Sequence, residues 1–265
     1  MKREMRIRLA MALALTGVLA GCARQAPGDP RITAHRGASG LAPENTLSAM
    51  VRAFEEGAGR AELDVQLTAD GVLVLMHDGT LVRTAGAEEQ VCELTLAQLQ
   101  ELEAGAWFDD EFAGEPIPTL EQVIRWARGR LVLNVEVKVS RPSPEIAARV
   151  VELIVSERAD SFCFITSFDR GTVEEVKRLA PGLRTGLIFG SDYPADVLSA
   201  SWEIVSAHHG IVDSTFVARA HRAGKEVHVW TVNDPGRMRD LLRLGVDSII
   251  TNRPDILRQV LSEES

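Results

Sequence analysis

Short apolar segments of strand type alternate with longer segments of helical pattern from Arg31 to the end of the chain. Runs of β-branched and large apolar residues predict strands, and amphipathic stretches predict the helices between them. The predicted strands end at His35 and cover 61–68, 131–139, 162–167, 184–189, 203–208, 226–232 and 248–251, and the main predicted helices cover 44–56, 144–158, 172–179, 214–223, 235–244 and 255–261. This alternation favours an α/β fold, a single (β/α)8 TIM barrel over residues 31–265, over the alternative of an open doubly wound sheet.

Two of the predicted strands carry charged side chains on one face. Glu62 and Asp64 are two residues apart and share a strand face, as do Asn134, Glu136 and Lys138. Buried charges are strongly unfavourable unless they are paired or bind a metal ion. Because hard divalent cations prefer oxygen ligands, Glu62, Asp64 and Glu136 are candidate ligands of Mg²⁺ or Ca²⁺. The alternative for a lone Glu-x-Asp pair is a solvated edge strand.

Two histidines, His35 and His77, each follow a strand-like segment. Imidazole exchanges a proton near neutral pH, so a pair can divide proton abstraction from proton donation. We therefore expect His35 and His77 to be the acid and base of a catalytic site, although sequence does not reveal which acts first. A capping or packing role is the alternative for either histidine alone.

The dipeptide Asp70-Gly71 lies between two strand-like runs and predicts a two-residue hairpin turn. With these two residues at the centre of the turn, antiparallel pairing places Asp64 opposite His77.

Residues 79–118 then form an expected insertion after the second strand, above the barrel. Its Trp107 and Phe108 are candidates for the pocket wall, or alternatively for anchoring the insertion on the barrel.

Composition excludes other classes of protein. With 45% hydrophobic and 25% charged residues, the chain is an ordinary globular protein rather than a disordered or fibrous one. A formal net charge of -9 argues against broad nucleic-acid binding, which normally needs a basic surface. The sequence leaves the oligomeric state open.

The N-terminus has the pattern of a targeting segment. Basic residues precede an apolar run over 9–20 that is too short to span a bilayer as an ordinary helix. The following Leu19-Ala20-Gly21-Cys22 resembles the lipobox of bacterial lipoproteins. We expect a signal peptide over 1–21, a lipidated Cys22, a tether over 22–30, export, and anchoring to the bacterial cell envelope. A plain secretory signal or an uncleaved anchor is the alternative.

Two further cysteines, Cys92 and Cys163, lack the spaced partners of a zinc site. We expect two unpaired thiols, with Cys163 in the core.

Several motifs occur together and in order: AHRGASGLAPENTLSAM, AELDVQLTADGVLVLMHDGTLVRT, GEPIPTLEQVI, LNVEVK, VWTVND and GVDSIITNRPD. In this set the chain resembles the glycerophosphodiester phosphodiesterases, over about residues 31 to 260, in what looks like a bacterial lipoprotein form. The resemblance implies a TIM barrel with a small insertion, the same three metal ligands and the same two histidines. It also implies hydrolysis to sn-glycerol 3-phosphate and an alcohol, through a cyclic phosphate made by the neighbouring glycerol hydroxyl. The family often has aspartate where this chain has Asn252.

Four further residues are candidates for substrate binding. Arg36 can form charge-assisted hydrogen bonds to phosphate, and Lys138 can add a positive charge beside the metal ion. Glu44 lies near the site or complements a helix start. Trp230 ends a late strand, where it packs on the glycerol or alcohol group or in the barrel core. Asn134 is a candidate to orient a ligand, while Asn45 and Thr46 are candidate helix caps.

Two other functions fit the same residues. A lysophospholipase D-like enzyme would use similar chemistry on lipids, and a membrane anchor makes it plausible. A surface-anchored binding protein with a non-catalytic barrel is the alternative outside enzymes, but both histidines and all three carboxylates argue against it.

Overall fold

The structure, a computed structural model, describes residues 28–139, 145–192 and 194–264. Its strands are β1 (Asp29–Ala34), β2 (Ala58–Leu67), β3 (Leu73–Leu75), β4 (Val132–Val137), β5 (Cys163–Ser167), β6 (Thr185–Phe189), β7 (Ile204–His208), β8 (Glu226–Trp230) and β9 (Ser248–Thr251). Among these residues, eight parallel strands form a closed ring, because β1 pairs with both β9 and β2 and the others follow in order. The closed ring confirms the (β/α)8 barrel and excludes the open sheet.

Helices surround the ring. They are α1 (Leu47–Glu55), α4 (Leu120–Ala127), α5 (Glu145–Ser156), α6 (Arg170–Leu179), α7 (Ser214–Arg222), α8 (Pro235–Leu244) and α9 (Pro254–Glu263), with the short α2 (Val82–Ala85) and α3 (Leu96–Leu99) between β3 and α4. Side chains cap the N-termini of two helices. Thr46 and Thr119 accept hydrogen bonds from backbone N–H groups in the first turns of α1 and α4. Thr46 is therefore a helix cap, as predicted. Between β6 and β7, the described residues 190–192 and 194–203 contain no helix.

Strand alternation separates two environments. Leu63, Val65, Leu133 and Val135 are fully buried between the strands and the helices, in the main hydrophobic core. The alternate residues point to the inside of the barrel, where polar side chains occur. Glu62 therefore lies opposite Asn134, and Asp64 opposite Glu136, on neighbouring strands.

The hairpin between β2 and β3 has a different register from the predicted one. Gly71 N–H donates to the carbonyl of Thr68, and Thr68 N–H donates to the carbonyl of Val72, so three residues rather than two form the loop. Gly71 has a φ of +79°, the conformation that glycine adopts at the third position of such a loop. The extra residue shifts the pairing by one, so Asp64 lies opposite Met76 and the prediction of His77 opposite Asp64 is wrong.

The segment between β3 and α4 has its own small core. Val74, Met76, Leu81, Val91, Leu99, Ala104 and Ile117 form this second apolar cluster. The indole N–H of Trp107 donates to the carbonyl of Ala104, 2.8 Å away, within the same segment. This hydrogen bond lies within the insertion, so anchoring of the insertion on the barrel by Trp107 stays a prediction.

The chain enters the barrel at the end opposite to the carboxyl ends of the strands. β1 begins at Asp29, two residues inside the predicted tether, and Asp29 N–H donates to the carbonyl of Gly57 just before β2. The predicted signal peptide, Cys22 and the rest of the tether lie outside the described residues. Within the described part of the chain, every helix is too short or too polar to cross a membrane.

Cys92 and Cys163 are free thiols, and Cys163 is buried, as predicted. Burial raises the pKa of Cys163 to about 12, so this thiol is protonated and inert at neutral pH.

Candidate active site

A cavity of about 150 Å³ opens at the carboxyl ends of the barrel strands, the usual position of a TIM-barrel active site. Most of the predicted site residues meet there. Its walls are His35, Arg36, Glu62, His77, Asn134, Glu136, Lys138, Phe168, Ile188, Ser206, Trp230, Thr231 and Ile250.

Three buried carboxylates lie at one side of this cavity. Glu62, Asp64 and Glu136 each offer an oxygen within 4.8 Å of the others. The Oε1 atom of Glu62 is buried and has no hydrogen-bond partner among the residues that the structure describes. An unpartnered buried carboxylate oxygen is strongly unfavourable by itself and is well suited to a cation. The donor set, three carboxylates without sulfur or imidazole, fits a hard divalent ion such as Mg²⁺ or Ca²⁺.

The charges in this cluster perturb one another. Burial and the charges of Asp64 and Glu136 raise the pKa of Glu62 well above its usual value. Burial and the charge of Asp64 raise the pKa of Glu136 to about 7. Burial alone would also raise the pKa of Asp64, but Lys138 and Arg36 lower it. Three carboxylates therefore face two cationic side chains, and one negative charge remains for a metal ion to balance.

The two cationic side chains hold opposite sides of the cluster. Lys138 Nζ lies 3.1 Å from Asp64 Oδ1 and 2.5 Å from Glu136 Oε1. The backbone N–H of Arg36 donates to Glu62 Oε2 at 2.8 Å, and its Nε lies 3.5 Å from Asp64 Oδ2. Both side chains also line the cavity, so they remain available to a phosphate oxygen there.

Glu44 lies behind Arg36 rather than on the cavity wall. Arg36 Nη1 donates to Glu44 Oε1 at 2.9 Å, and Arg83 donates to both oxygens of the same carboxylate. Burial opposes ionisation of Glu44, but the hydrogen bonds from Arg83 and the charge of Arg36 lower its pKa. The contacts of Glu44 are thus those of a residue that orients Arg36.

His35 lies directly after β1 with its ring against the carboxylates. Asn252 Oδ1, which can only accept, lies 2.6 Å from His35 Nδ1, so Nδ1 carries the proton. His35 Nε2 faces Glu62 Oε2 at 3.8 Å. Burial, with the charge of Arg36, lowers the pKa of His35 to about 4, so its Nε2 is free to accept a proton at neutral pH.

His77 also lines the cavity, one residue after the end of the paired hairpin. Its Nδ1 lies 2.6 Å from Asp78 Oδ1, and a carboxylate oxygen accepts that proton. The nitrogen left for chemistry in the cavity is therefore Nε2. The amide of Gln66 holds this loop by donating to the carbonyls of Met76, His77 and Asp78.

Some residues of the site were missed or given another role by the sequence pattern. Asn45, a candidate cap, instead donates through Nδ2 to Asp64 Oδ2 at 2.8 Å and accepts from the Asp64 N–H through Oδ1. Its φ of +58° is unfavourable for a residue other than glycine and sets the side chain toward Asp64. Arg83 and Gln66 carry no sequence signal of their own, because their partners lie at least ten residues away or in another loop.

Two aromatic rings form part of the wall, one of them beside Lys138, whose Nζ lies 5.9 Å from the Phe168 ring centroid. Phe168 and Trp230 pack edge to face, with centroids 5.4 Å apart, and both line the cavity. The indole N–H of Trp230 donates to the carbonyl of Ser206, which fixes its ring. Trp230 therefore lines the cavity, and its packing on the glycerol or alcohol group stays a prediction.

A sequence profile of the glycerophosphoryl diester phosphodiesterase family matches residues 35–256, which include every group described above. The chain belongs to this family. As a glycerophosphodiester phosphodiesterase it is a phosphoric diester hydrolase, and its buried carboxylates form a set that can hold the divalent metal on which the family generally depends.

Individual relatives agree with this assignment. A glycerophosphodiester phosphodiesterase from Caldanaerobacter subterraneus is 36% identical over 232 residues, which cover 85% of this chain and 95% of the relative. The structure of an Oleispira antarctica phosphodiesterase, solved with the product sn-glycerol-3-phosphate, matches with a TM-score of 0.82 and 29% sequence identity. The match covers 88% of this chain and 97% of the Oleispira chain. The structure of a glycerophosphodiester phosphodiesterase from Agrobacterium tumefaciens matches with a TM-score of 0.77 and 31% sequence identity, over 86% of this chain and 99% of the Agrobacterium chain.

Proposed function

We propose that this phosphodiesterase releases sn-glycerol 3-phosphate and an alcohol such as choline or ethanolamine from glycerophosphodiesters, with Mg²⁺ or Ca²⁺ as cofactor. One observation carries the proposal: a buried cluster of three carboxylates lies at one cavity whose wall also includes both histidines. The solved Oleispira relative, which holds sn-glycerol-3-phosphate, supports this choice of product.

Glu62, Asp64 and Glu136 would hold the cation. When bound, the cation would supply positive charge to the nonbridging phosphate oxygens as negative charge develops on them. Arg36 and Lys138 reach the same cavity and orient the phosphate through charge-assisted hydrogen bonds. The small cavity suits the glycerol phosphate portion, with Phe168 and Trp230 against its apolar edge.

The two histidines divide the proton transfers. His35 Nε2 takes the proton of the glycerol hydroxyl beside the phosphate, and that oxygen attacks phosphorus. His77 gives its proton to the departing alcohol, while the Asp78 carboxylate balances the charge of the protonated ring. Water then opens the cyclic phosphate with the two roles reversed. Different partners at the two Nδ1 atoms, an amide oxygen and a carboxylate, favour this division.

Product release tests the proposal. The soluble form beginning at Ala23 should release glycerol 3-phosphate from glycerophosphocholine and glycerophosphoethanolamine, lose this activity with EDTA, and regain it with Mg²⁺ or Ca²⁺. His35→Ala and His77→Ala should each lower kcat by at least about 100-fold, while His221→Ala, on the exposed end of α7, serves as the matched control. Folded histidine variants with full activity would contradict the assignment.

A lysophospholipase D-like activity is the second candidate. Phe168 is 53% exposed and Val139 is 39% exposed beside the cavity, so the mouth presents some apolar surface. Lysophosphatidylcholine as a parallel substrate distinguishes the two: a larger kcat/KM for the lysolipid would make it the principal activity.

The N-terminal pattern supports a further part of the proposal, export followed by lipid anchoring to the bacterial envelope through Cys22. Labelled palmitate should enter the full-length chain but not the Cys22→Ala variant. Labelling of both would show that lipid attaches elsewhere, and labelling of neither would favour a plain secretory signal.

A further inference from the structure

Arg83, in the insertion, connects two loops of the active site. Its Nε donates to Asp78 Oδ2 at 2.7 Å. Its Nη1 and Nη2 donate to Glu44 Oε2 and Oε1 at 2.9 and 2.7 Å. One guanidinium therefore uses all three of its nitrogens on two carboxylates, one from the β1–α1 loop and one from the loop after β3.

These carboxylates differ in how firmly they are placed. Glu44 is the anchor, because its side chain is only 11% exposed and also accepts from Arg36. Asp78 is more open, with its side chain 30% exposed, and its other oxygen accepts the hydrogen bond from His77 Nδ1. The order of contacts runs from Glu44 through Arg83 and Asp78 to His77.

We propose that Arg83 is a positioning residue for the catalytic histidine His77. Without the guanidinium, Asp78 loses its only cationic partner among the described contacts apart from His77 itself, and its carboxylate is free to rotate. The imidazole then loses the partner that selects its tautomer and ring orientation. This inference rests on the proposed role of His77 in the reaction.

The competing explanation is an ordinary surface ion pair. Arg83 is 41% exposed, and exposed ion pairs contribute little to folding stability. A purely structural Arg83 would therefore affect neither stability nor turnover, whereas a positioning residue affects turnover alone.

The chain contains a closely matched control. Arg170 is also 41% exposed, and it also bridges two carboxylates, Glu174 at 2.7 Å and Asp196 at 2.9 Å. Both guanidinium groups also lie over an indole ring, that of Trp202 at 5.4 Å for Arg170 and that of Trp107 at 5.7 Å for Arg83. Arg170 differs because, in the contacts of the described residues, neither of its two carboxylates touches a catalytic group.

The first test compares Arg83→Ala with Arg170→Ala on glycerophosphocholine. Replacing residues that orient a reacting group typically costs about 10- to 100-fold. We expect such a fall in kcat for Arg83→Ala, with KM changed less than about threefold and an unchanged melting temperature, and no change for Arg170→Ala. Arg83→Lys should recover only part of the loss, because a single ammonium cannot bridge both carboxylates in the same geometry. Equal kcat values in the two alanine variants, or a change in KM alone, would overturn the inference.

The second test is a double-mutant cycle with Asp78→Asn. Since Arg83 is proposed to act through Asp78, Arg83→Ala should lower kcat less than about twofold in the Asp78→Asn background. If the double variant instead lost kcat by the product of the two single-variant factors, Arg83 would act by a route other than Asp78.

A third measurement does not depend on turnover. Nitrogen-15 spectra of the histidine rings should show a shift of the His77 Nδ1 signal in Arg83→Ala and none in Arg170→Ala. If the wild-type chain failed to turn over glycerophosphodiesters, the proposed function would fail, but this signal would still decide whether Arg83 positions His77. An unmoved signal would refute the inference.

Discussion

At the scale of single residues, the site is a set of buried charges that require one another. Glu62, Asp64 and Glu136 carry more negative charge than Lys138 and Arg36 neutralise, and within the described part of the chain Glu62 Oε1 has no hydrogen-bond partner. Burial, together with this excess, raises the pKa values of Glu62 and Glu136, and protons on these groups take the place of the missing positive charge. A divalent ion and protons therefore compete for the same oxygens.

This competition predicts a pH-dependent metal affinity. Glu136 has a pKa of about 7, so it is mostly protonated at pH 6 and mostly ionised at pH 8. The affinity for Mg²⁺ or Ca²⁺ should rise roughly tenfold over this range as binding ceases to require the loss of that proton. Calorimetry in two buffers of different ionisation enthalpy would measure both the affinity and the protons released. The Glu136→Gln variant should bind the metal ion weakly, and its affinity should depend less on pH. A wild-type metal affinity that stays constant from pH 6 to pH 8 would contradict the competition between protons and the metal ion.

At the scale of elements, the loop from β1 to α1 places several groups of the site through an unusual backbone. Arg36, Gly37 and Asn45 all have positive φ, and Gly37 N–H donates to the carbonyl of Glu62. A Cβ atom at Gly37 would lie 2.6 Å from the Cβ of Ala49 and 2.7 Å from its carbonyl carbon, in α1. The loop and the helix therefore fit together only with glycine at this position.

Gly37→Ala should consequently damage both stability and catalysis. Forcing a residue with a Cβ into this conformation costs about 1 kcal/mol, and the clash with α1 adds to that cost and displaces Arg36. Gly86→Ala is the matched control, because Gly86 has a φ of +67° and open space around it. Chemical denaturation and kcat/KM on glycerophosphocholine would compare the two variants. For Gly86→Ala we expect the free energy of unfolding to fall by about 1 kcal/mol with normal activity. Equal effects in both variants would show that the contact between a Cβ at position 37 and α1 is relieved without consequence.

Sequence predicted the elements well because their signals are local. The strand over 248–251 and the helix over 235–244 have the predicted bounds, and the faces of β2 and β4 follow from period-two alternation. The hairpin register was missed because Asp-Gly also closes a three-residue loop, with glycine as the left-handed residue. The pairs Asn45 with Asp64 and Arg83 with Glu44 depend on how distant segments meet in space, which no local pattern specifies. The reaction was predicted from the resemblance to a family, whereas the residues that support the site became apparent only from the contacts in the structure.

At the scale of the whole molecule, the barrel separates stability from chemistry. The cavity occupies the carboxyl ends of the strands, and the opposite end is closed by a different polar group in which Arg60 Nη1 donates to the buried His228 at 2.8 Å. The main core lies between the strands and the helices, away from both ends. Changes to side chains that only line the cavity can therefore alter the reaction without disturbing the ring of strands, whereas Gly37 also packs against α1.

The entry of β1 at that closed end determines how an anchored molecule would face its surroundings. From Cys22 to Asp29 the chain reaches at most about 25 Å even when fully extended. A lipid on Cys22 would then hold the closed end against the bilayer and turn the cavity toward the aqueous space. On vesicles, the lipidated protein should hydrolyse dissolved glycerophosphocholine as fast as the soluble form, yet act poorly on lysophosphatidylcholine embedded in the same vesicles. Rapid hydrolysis of the embedded lipid would show that the cavity faces the bilayer instead. In the expected orientation, the enzyme would hydrolyse small molecules that arrive from solution and leave the lipids of its own membrane intact.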